Sequence, residues 1–231
     1  MGKREDLRST DVKSFEEWLA YQQFSPNSPA ELDALKRAYD AMCANAEADK
    51  TETIKGRLCD WGTQYYVAGR MAARVGFLPV YGNLLHHAVE MYLKAALVGV
   101  VSLEKLKKKY IHNLEKLWRR FKAKEADAAL DGFDATIHDL HKFEELRYPD
   151  EIPHPRIFMT ITRGPSHAVV QYAGQPTAKY GVFISDVDRL VIEILKRVPV
   201  NPKFLMSAIR VEQSGREALR YQNPHAADWL C

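Results

Sequence analysis

"NLLHHAVEMYLKAAL", residues 83–97, reads as one helix with two unlike faces. Leu84, Leu85, Ala88, Met91, Tyr92, Ala95 and Ala96 recur at the helical period and form an apolar stripe. Asn83, His87, Glu90 and Lys94 recur three and four residues apart on the other face, with His86 beside them. As a solvated ladder, His87–Glu90–Lys94 contributes only ~0.2–0.5 kcal/mol per pair. So polar a stripe on so apolar a helix points instead to a partly buried, hydrogen-bonded seam. Its expected partners are His112, His141, Glu144 or Arg147.

The helix in front of it is expected over about 52–76, with Leu58, Trp61, Tyr65, Ala68 and Ala72 on one face and Gly76 and Pro79 ending it. After it, "SLEKLKKKYIHNLEKLWRRFKAK" reads as a short helix, a break near Tyr110 to His112, and a helix carrying Leu114, Leu117, Trp118 and Phe121. The next helix turns Phe133, Ile137, Leu140 and Phe143 or Glu144 inward and stops at Pro149. "RIFMTITRG", "AVVQYAG" and "YGVFIS" are rich in β-branched and aromatic residues and are separated by turn signals. They predict a small antiparallel β insertion at about 156–184. Ser185 is the expected cap of "DVDRLVIEILKRV", with Val187, Leu190, Val191, Ile194 and Leu195 inward.

The predicted fold is mainly α: an up-and-down helical bundle over 52–200, interrupted by the β insertion. Residues 1–51 form an N-terminal helical extension, with helices over 12–24 and from Ser28, its cap, through Leu32, Leu35, Ala38 and Met42. Residues 201–231 form a C-terminal tail of a short helix or two plus loop.

The chain of 231 residues is 46% hydrophobic and 27% charged, enough to bury a core and stay in solution. No apolar run reaches the ~18 residues of a membrane span. The N-terminal "MGKREDLRSTDVKSFEEW" lacks an apolar core, so neither a signal peptide nor a membrane contact is expected. "MGKRED" also lacks the hydroxyl residue of a myristoylation signal. Cys43, Cys59 and Cys231 are odd in number and far apart, which suggests a reducing, cytoplasmic setting.

The net charge of +3 conceals a strong alternation. Glu104–Lys124 holds nine Lys or Arg against two acids, and Glu125–Glu151 holds nine acids against two basic residues. The two segments can attract each other across a helix pair, or the basic one can face a polyanion. Lys107, Lys108, Lys109, Arg119 and Arg120 are the candidate nucleic-acid contacts, interleaved with Tyr110, Trp118 and Phe121. Trp118 and Phe121 also stand at core spacing, the competing reading.

Three segments, "GNLLHHAVEMYLKAAL", "IHNLEKLW" and "EELRYPDE", resemble in order the motifs of the HEPN family (higher eukaryotes and prokaryotes nucleotide-binding domain). That family carries an "EKxLKA" helix end, an "HDLxxL" helix start and an "ARYPDE" segment. Glu90 and Lys94 match the first. His112, Asn113 and Leu114 match the second, with Asn for the usual Asp. Arg147, Tyr148, Pro149, Asp150 and Glu151 match the third. The resemblance covers roughly 55–155 plus the later helix; the N-terminal extension and the strands lie outside it.

The resemblance implies a four- or five-helix bundle that works as a homodimer and binds nucleotide, RNA or a protein partner. The alternative it implies is a metal-independent endoribonuclease of toxin or defence type, partnered by a nucleotidyltransferase-type protein. The nuclease motif, Arg and then His after four to six residues, maps to Arg147 and His154. An imidazole can activate the ribose 2′-hydroxyl while a guanidinium holds the phosphate. Here His154 sits between Pro153 and Pro155 in an extended segment, whereas the family's histidine lies on or beside a helix. The competing role for Arg147 is a salt bridge to Glu90 or Glu144.

No cofactor is expected. A metal set of His87, Glu90 and His141 is set aside because the paired Glu-x-x-His motifs of di-iron bundles are absent. P-loop, Rossmann, nucleophile-elbow and HExxH signatures are absent too, so a small-molecule enzyme has no supporting motif.

Overall fold

A computed structural model of the chain describes residues 14–22, 26, 28–77, 80–146, 159–162, 180–198, 200–208 and 211–230. The chain divides into two units, Met1–Thr53 and Ile54–Cys231. The architecture is mainly helical.

The first unit holds α1 (Phe15–Gln22) and the beginning of α2 (Pro29–Arg74). Ser28 caps α2, its Oγ accepting the Glu31 N–H at 3.2 Å. Phe15, Trp18 and Tyr39 group their rings at centroid distances of 5.6–6.0 Å. Most of the α2 side chains in this unit are exposed, Leu32 among them.

Two helices were expected where α2 runs as one. The physical reason is the absence of any breaker: no Gly or Pro occurs between Ala30 and Lys55. Gly76, with φ +77°, ends the helix, and the Phe77 N–H returns to the Ala72 carbonyl at 2.9 Å. The expected inner face also needs correcting. Trp61 and Tyr65 are exposed, and the buried face runs through Leu58, Gly62, Tyr66, Gly69 and Ala73. The glycines decide this. A Cβ at Gly62 would lie 2.9 Å from the Tyr92 ring, and one at Gly69 would lie 2.9 Å from Leu85. The small-residue face therefore receives the neighbouring helix closely.

That neighbour is α3 (Val80–Leu97), which carries the opening motif. It packs against α5 (Leu114–Glu125), α6 (Asp134–Lys142), α7 (Ile184–Arg197) and the 3₁₀ turn Phe143–Leu146. Leu85, Ala88, Val89, Tyr92, Leu93 and Ala95 are fully buried. Short α4 (Leu103–Lys108) ends at the expected break, and a 3₁₀ turn (Ala128–Phe133) links α5 to α6. Leu114, Leu117, Trp118, Phe121, Phe133, Ile137, Leu140 and Phe143 all enter the core as expected.

The strands depart from expectation. β1 (Met159–Thr162) and β2 (Tyr180–Phe183) pair in parallel, Met159 opposite Tyr180 and Thr162 opposite Phe183. An antiparallel hairpin needs only a short turn. The connection 163–179 exceeds the roughly dozen residues a parallel crossover requires. The third expected strand, "AVVQYAG", lies outside the described residues. β2 passes directly into α7, so Phe183 takes the cap position that Ser185 was expected to fill, with no side-chain cap bond. Val187, Leu190, Val191, Ile194 and Leu195 are buried as read from the pattern.

The segment expected as a tail carries α8 (Pro202–Ala208), α9 (Gln213–Arg220) and α10 (Ala226–Trp229). Leu205, Met206, Leu219 and Trp229 join the same core, and Trp229 stacks on Tyr66 at 5.1 Å.

Candidate functional site

Glu90 is the centre of the polar stripe, and its side chain is fully buried. Helical spacing places His87 one turn before it and Lys94 one turn after it. A third partner, His112, arrives from the break between α4 and α5 with φ +48°, a left-handed conformation costly for a side-chain-bearing residue. Asn113 follows as the cap of α5, its Oδ1 accepting the Lys116 N–H at 2.8 Å. The cap and the left-handed turn together aim His112 at α3.

The two carboxylate oxygens divide the donors between them. Oε1 accepts from Lys94 Nζ at 2.6 Å and from the His112 backbone N–H at 3.3 Å. Oε2 faces Nδ1 of His87 at 3.2 Å and Nδ1 of His112 at 3.1 Å. A carboxylate only accepts, so in this hydrogen-bonded form both rings carry a proton on Nδ1. Burial alone would raise the Glu90 pKa. The His87 bond, the bond and charge of Lys94, and the His112 bond overcome it, holding the carboxyl well below the usual range. The imidazoles are not sealed: the His87 side chain is 23% exposed and that of His112 is 34% exposed.

A second pair of imidazoles adjoins this hub. His86 Nδ1 lies 3.0 Å from the Leu140 carbonyl, and Nε2 stands 3.7 Å from Glu144 Oε2. His86 Nε2 and His141 Nδ1 are buried without a hydrogen-bond partner among the described residues. Burial, against the opposing effect of the Leu140 bond, pulls the His86 pKa down to about 4. Ring centroids step from His141 to His86 (6.2 Å), to His87 (5.5 Å) and to His112 (5.5 Å).

The fold thus joins His87, Glu90, Lys94 and His112, and sends His141 and Glu144 to His86 rather than to Glu90. Asn83 is half-buried on α3. The metal set considered from the sequence, with His141 in it, is not the set the fold assembles; His112 takes that place. Arg147 and His154 lie outside the described residues.

Lys107, Lys108, Lys109, Arg119 and Arg120 are exposed on or beside α4 and α5. Lys108 pairs within α4 with Glu104 at 2.7 Å. Trp118 and Phe121 are core residues, so the aromatic interleaving is packing. The acidic and basic segments also meet directly. Lys122 reaches Asp131 at 2.6 Å and Asp134 at 2.8 Å, and His138 reaches Glu115 at 2.8 Å.

Sequence reasoning missed a buried network. Arg70 contacts both oxygens of Asp188 at 2.5 Å and donates to the carbonyls of Ala218 and Tyr221. The Tyr66 hydroxyl donates to Asp188 at 2.6 Å, and Asn223 donates to Tyr66. One signal was present: Asp188 lies four residues after Ile184 and three before Val191, on the inner face of α7.

Comparison with protein-family models, with curated proteins and with solved structures finds no match.

Proposed function

We propose that this chain is a HEPN-like module that acts as a homodimer and binds RNA through its phosphates. One observation carries the reading. Two of the motifs behind the resemblance, Glu90–Lys94 and His112–Asn113–Leu114, meet in space through Glu90 and His112, at 3.1 Å. Exposed cations flank that junction in sequence, among them Lys107, Lys108 and Lys109 before His112, and Arg119 and Arg120 after it. Exposed cations favour a polyanion through counterion release, which makes the affinity salt-dependent.

The test is fluorescence anisotropy with a labelled single-stranded RNA across a salt series. Binding should weaken as salt rises. In Lys107→Glu/Lys108→Glu/Lys109→Glu it should fall at least about tenfold, with a shallower salt slope. No binding by the natural chain, or equal binding by the variant, overturns the reading.

The second reading, a metal-independent endoribonuclease of toxin or defence type, follows from the Arg147–His154 spacing. The same RNA run on a denaturing gel decides it. Cleavage in chelator that is lost in both Arg147→Ala and His154→Ala establishes the nuclease; intact RNA leaves a binding module.

A further inference from the structure

We propose that His87, Glu90 and His112 form a site for one divalent transition metal ion of the zinc class. One potential ligand atom from each of His87, Glu90 and His112 lies within 4.8 Å of the other two. The two Nδ1 to Oε2 distances are 3.2 and 3.1 Å. Ligands around a tetrahedral zinc at about 2.0–2.1 Å stand about 3.3 Å apart. Both Nδ1–Oε2 edges therefore already have nearly the length a shared ion requires.

The division of labour at Glu90 is the second observation. Oε1 is held by Lys94 and by the His112 backbone, and these bonds fix the carboxylate plane. Oε2 meets only the two imidazole nitrogens among the described residues. An ion at Oε2 displaces the two Nδ1 protons and leaves every Oε1 bond intact. For each neutral ring the proton moves from Nδ1 to Nε2, so charge and atoms balance. The outer contacts of Glu90 then play the orienting role that bonded neighbours play around metal ligands.

The scaffold is built for the purpose. His87 and Glu90 sit one turn apart on the central helix, and His112 is fixed by its left-handed backbone and the cap that follows. Partial exposure of both imidazoles gives an ion a way in. Two imidazoles and one carboxylate, with no thiolate, select zinc, cobalt, nickel or copper over the oxygen-seeking magnesium and calcium. The site stands on geometry alone and does not depend on RNA binding.

The experiment uses the untagged full chain after chelator treatment and dialysis. Zinc is titrated by calorimetry, and cobalt by visible absorption, whose intensity reports tetrahedral coordination. One zinc per chain is expected. His87→Gln and His112→Gln should each weaken it at least about tenfold. Circular dichroism confirms that each variant is folded. If His112→Gln does not fold, His87→Gln alone decides. An absence of binding overturns the proposal. So does zinc bound undiminished by the folded histidine variants, which assigns it to other surface groups such as His138 or His225.

Discussion

Arg70 of α2 and Asp188 of α7 meet at 2.5 Å with side chains only 4% and 0% exposed, although 118 residues separate them. The same guanidinium holds the carbonyls of Ala218 and Tyr221, so one residue ties α2 to α7 and to the C-terminal helices. Burial raises the Asp188 pKa, and Arg70 and Tyr66 pull it back. Removing one partner strands a buried charge. Arg70→Ala is expected to cost about 3–5 kcal/mol. The exposed pair Arg74–Glu217, at 3.7 Å, is the control, and Arg74→Ala should cost under about 1 kcal/mol. Urea denaturation of both variants checks the contrast, and equal midpoints would sink it.

Gly82 and Gly56 should respond to alanine with opposite signs. A Cβ at Gly82 would sit 2.0 Å from Phe143 Cδ1, and that ring is itself held between Tyr81 and Tyr180. The clash costs about 1–3 kcal/mol and outweighs the helix-propensity gain of about 1 kcal/mol. At Gly56 nothing lies within 4 Å, so only the gain remains, about 0.4–1 kcal/mol. Thermal unfolding should show Gly82→Ala melting lower and Gly56→Ala melting higher than the natural chain.

Cys59 should be inert where Cys43 reacts. Cys43 is exposed; Cys59 is fully buried. Burial, helped by the Asp60 charge, pushes the Cys59 thiol up to about 12. The thiolate is the nucleophile, so at pH 8 the protonated, buried Cys59 is unreactive. Iodoacetamide at pH 8 should label Cys43 in the native chain and Cys59 only after denaturation. Peptide mass spectrometry reads the result; native labelling of Cys59 at the Cys43 rate would refute its placement.

Trp118→Phe separates packing from RNA contact. The indole Nε1–H donates to Asp134 at 2.6 Å, and Asp134 keeps Lys122 when that bond is lost. The expected stability cost is about 1 kcal/mol. The ring is buried and cannot stack on a base, so RNA affinity should be unchanged. A loss of affinity in the folded variant would place an aromatic contact at this position after all.

The local part of this molecule was readable residue by residue. Helical period put Leu85, Ala88 and Tyr92 in the core and set His87 and Lys94 around Glu90, because a helix relates neighbours three and four apart wherever it lies. The break near Tyr110 to His112 and the inward stripe of α7 followed from spacing, whereas the cap expected at Ser185 did not form. Tertiary structure alone decided the rest. His112 reaches Glu90 across 22 residues, and Asp188 finds Arg70 across 118. Close approach at Gly62 and Gly69, rather than hydrophobicity, chose the buried face of α2 and left Trp61 and Tyr65 outside. β1 and β2 run in parallel because strand direction depends on how the chain returns, which a period of two does not encode. Periodicity is a property of the backbone near each residue, whereas pairing depends on which surfaces the packed helices bring together.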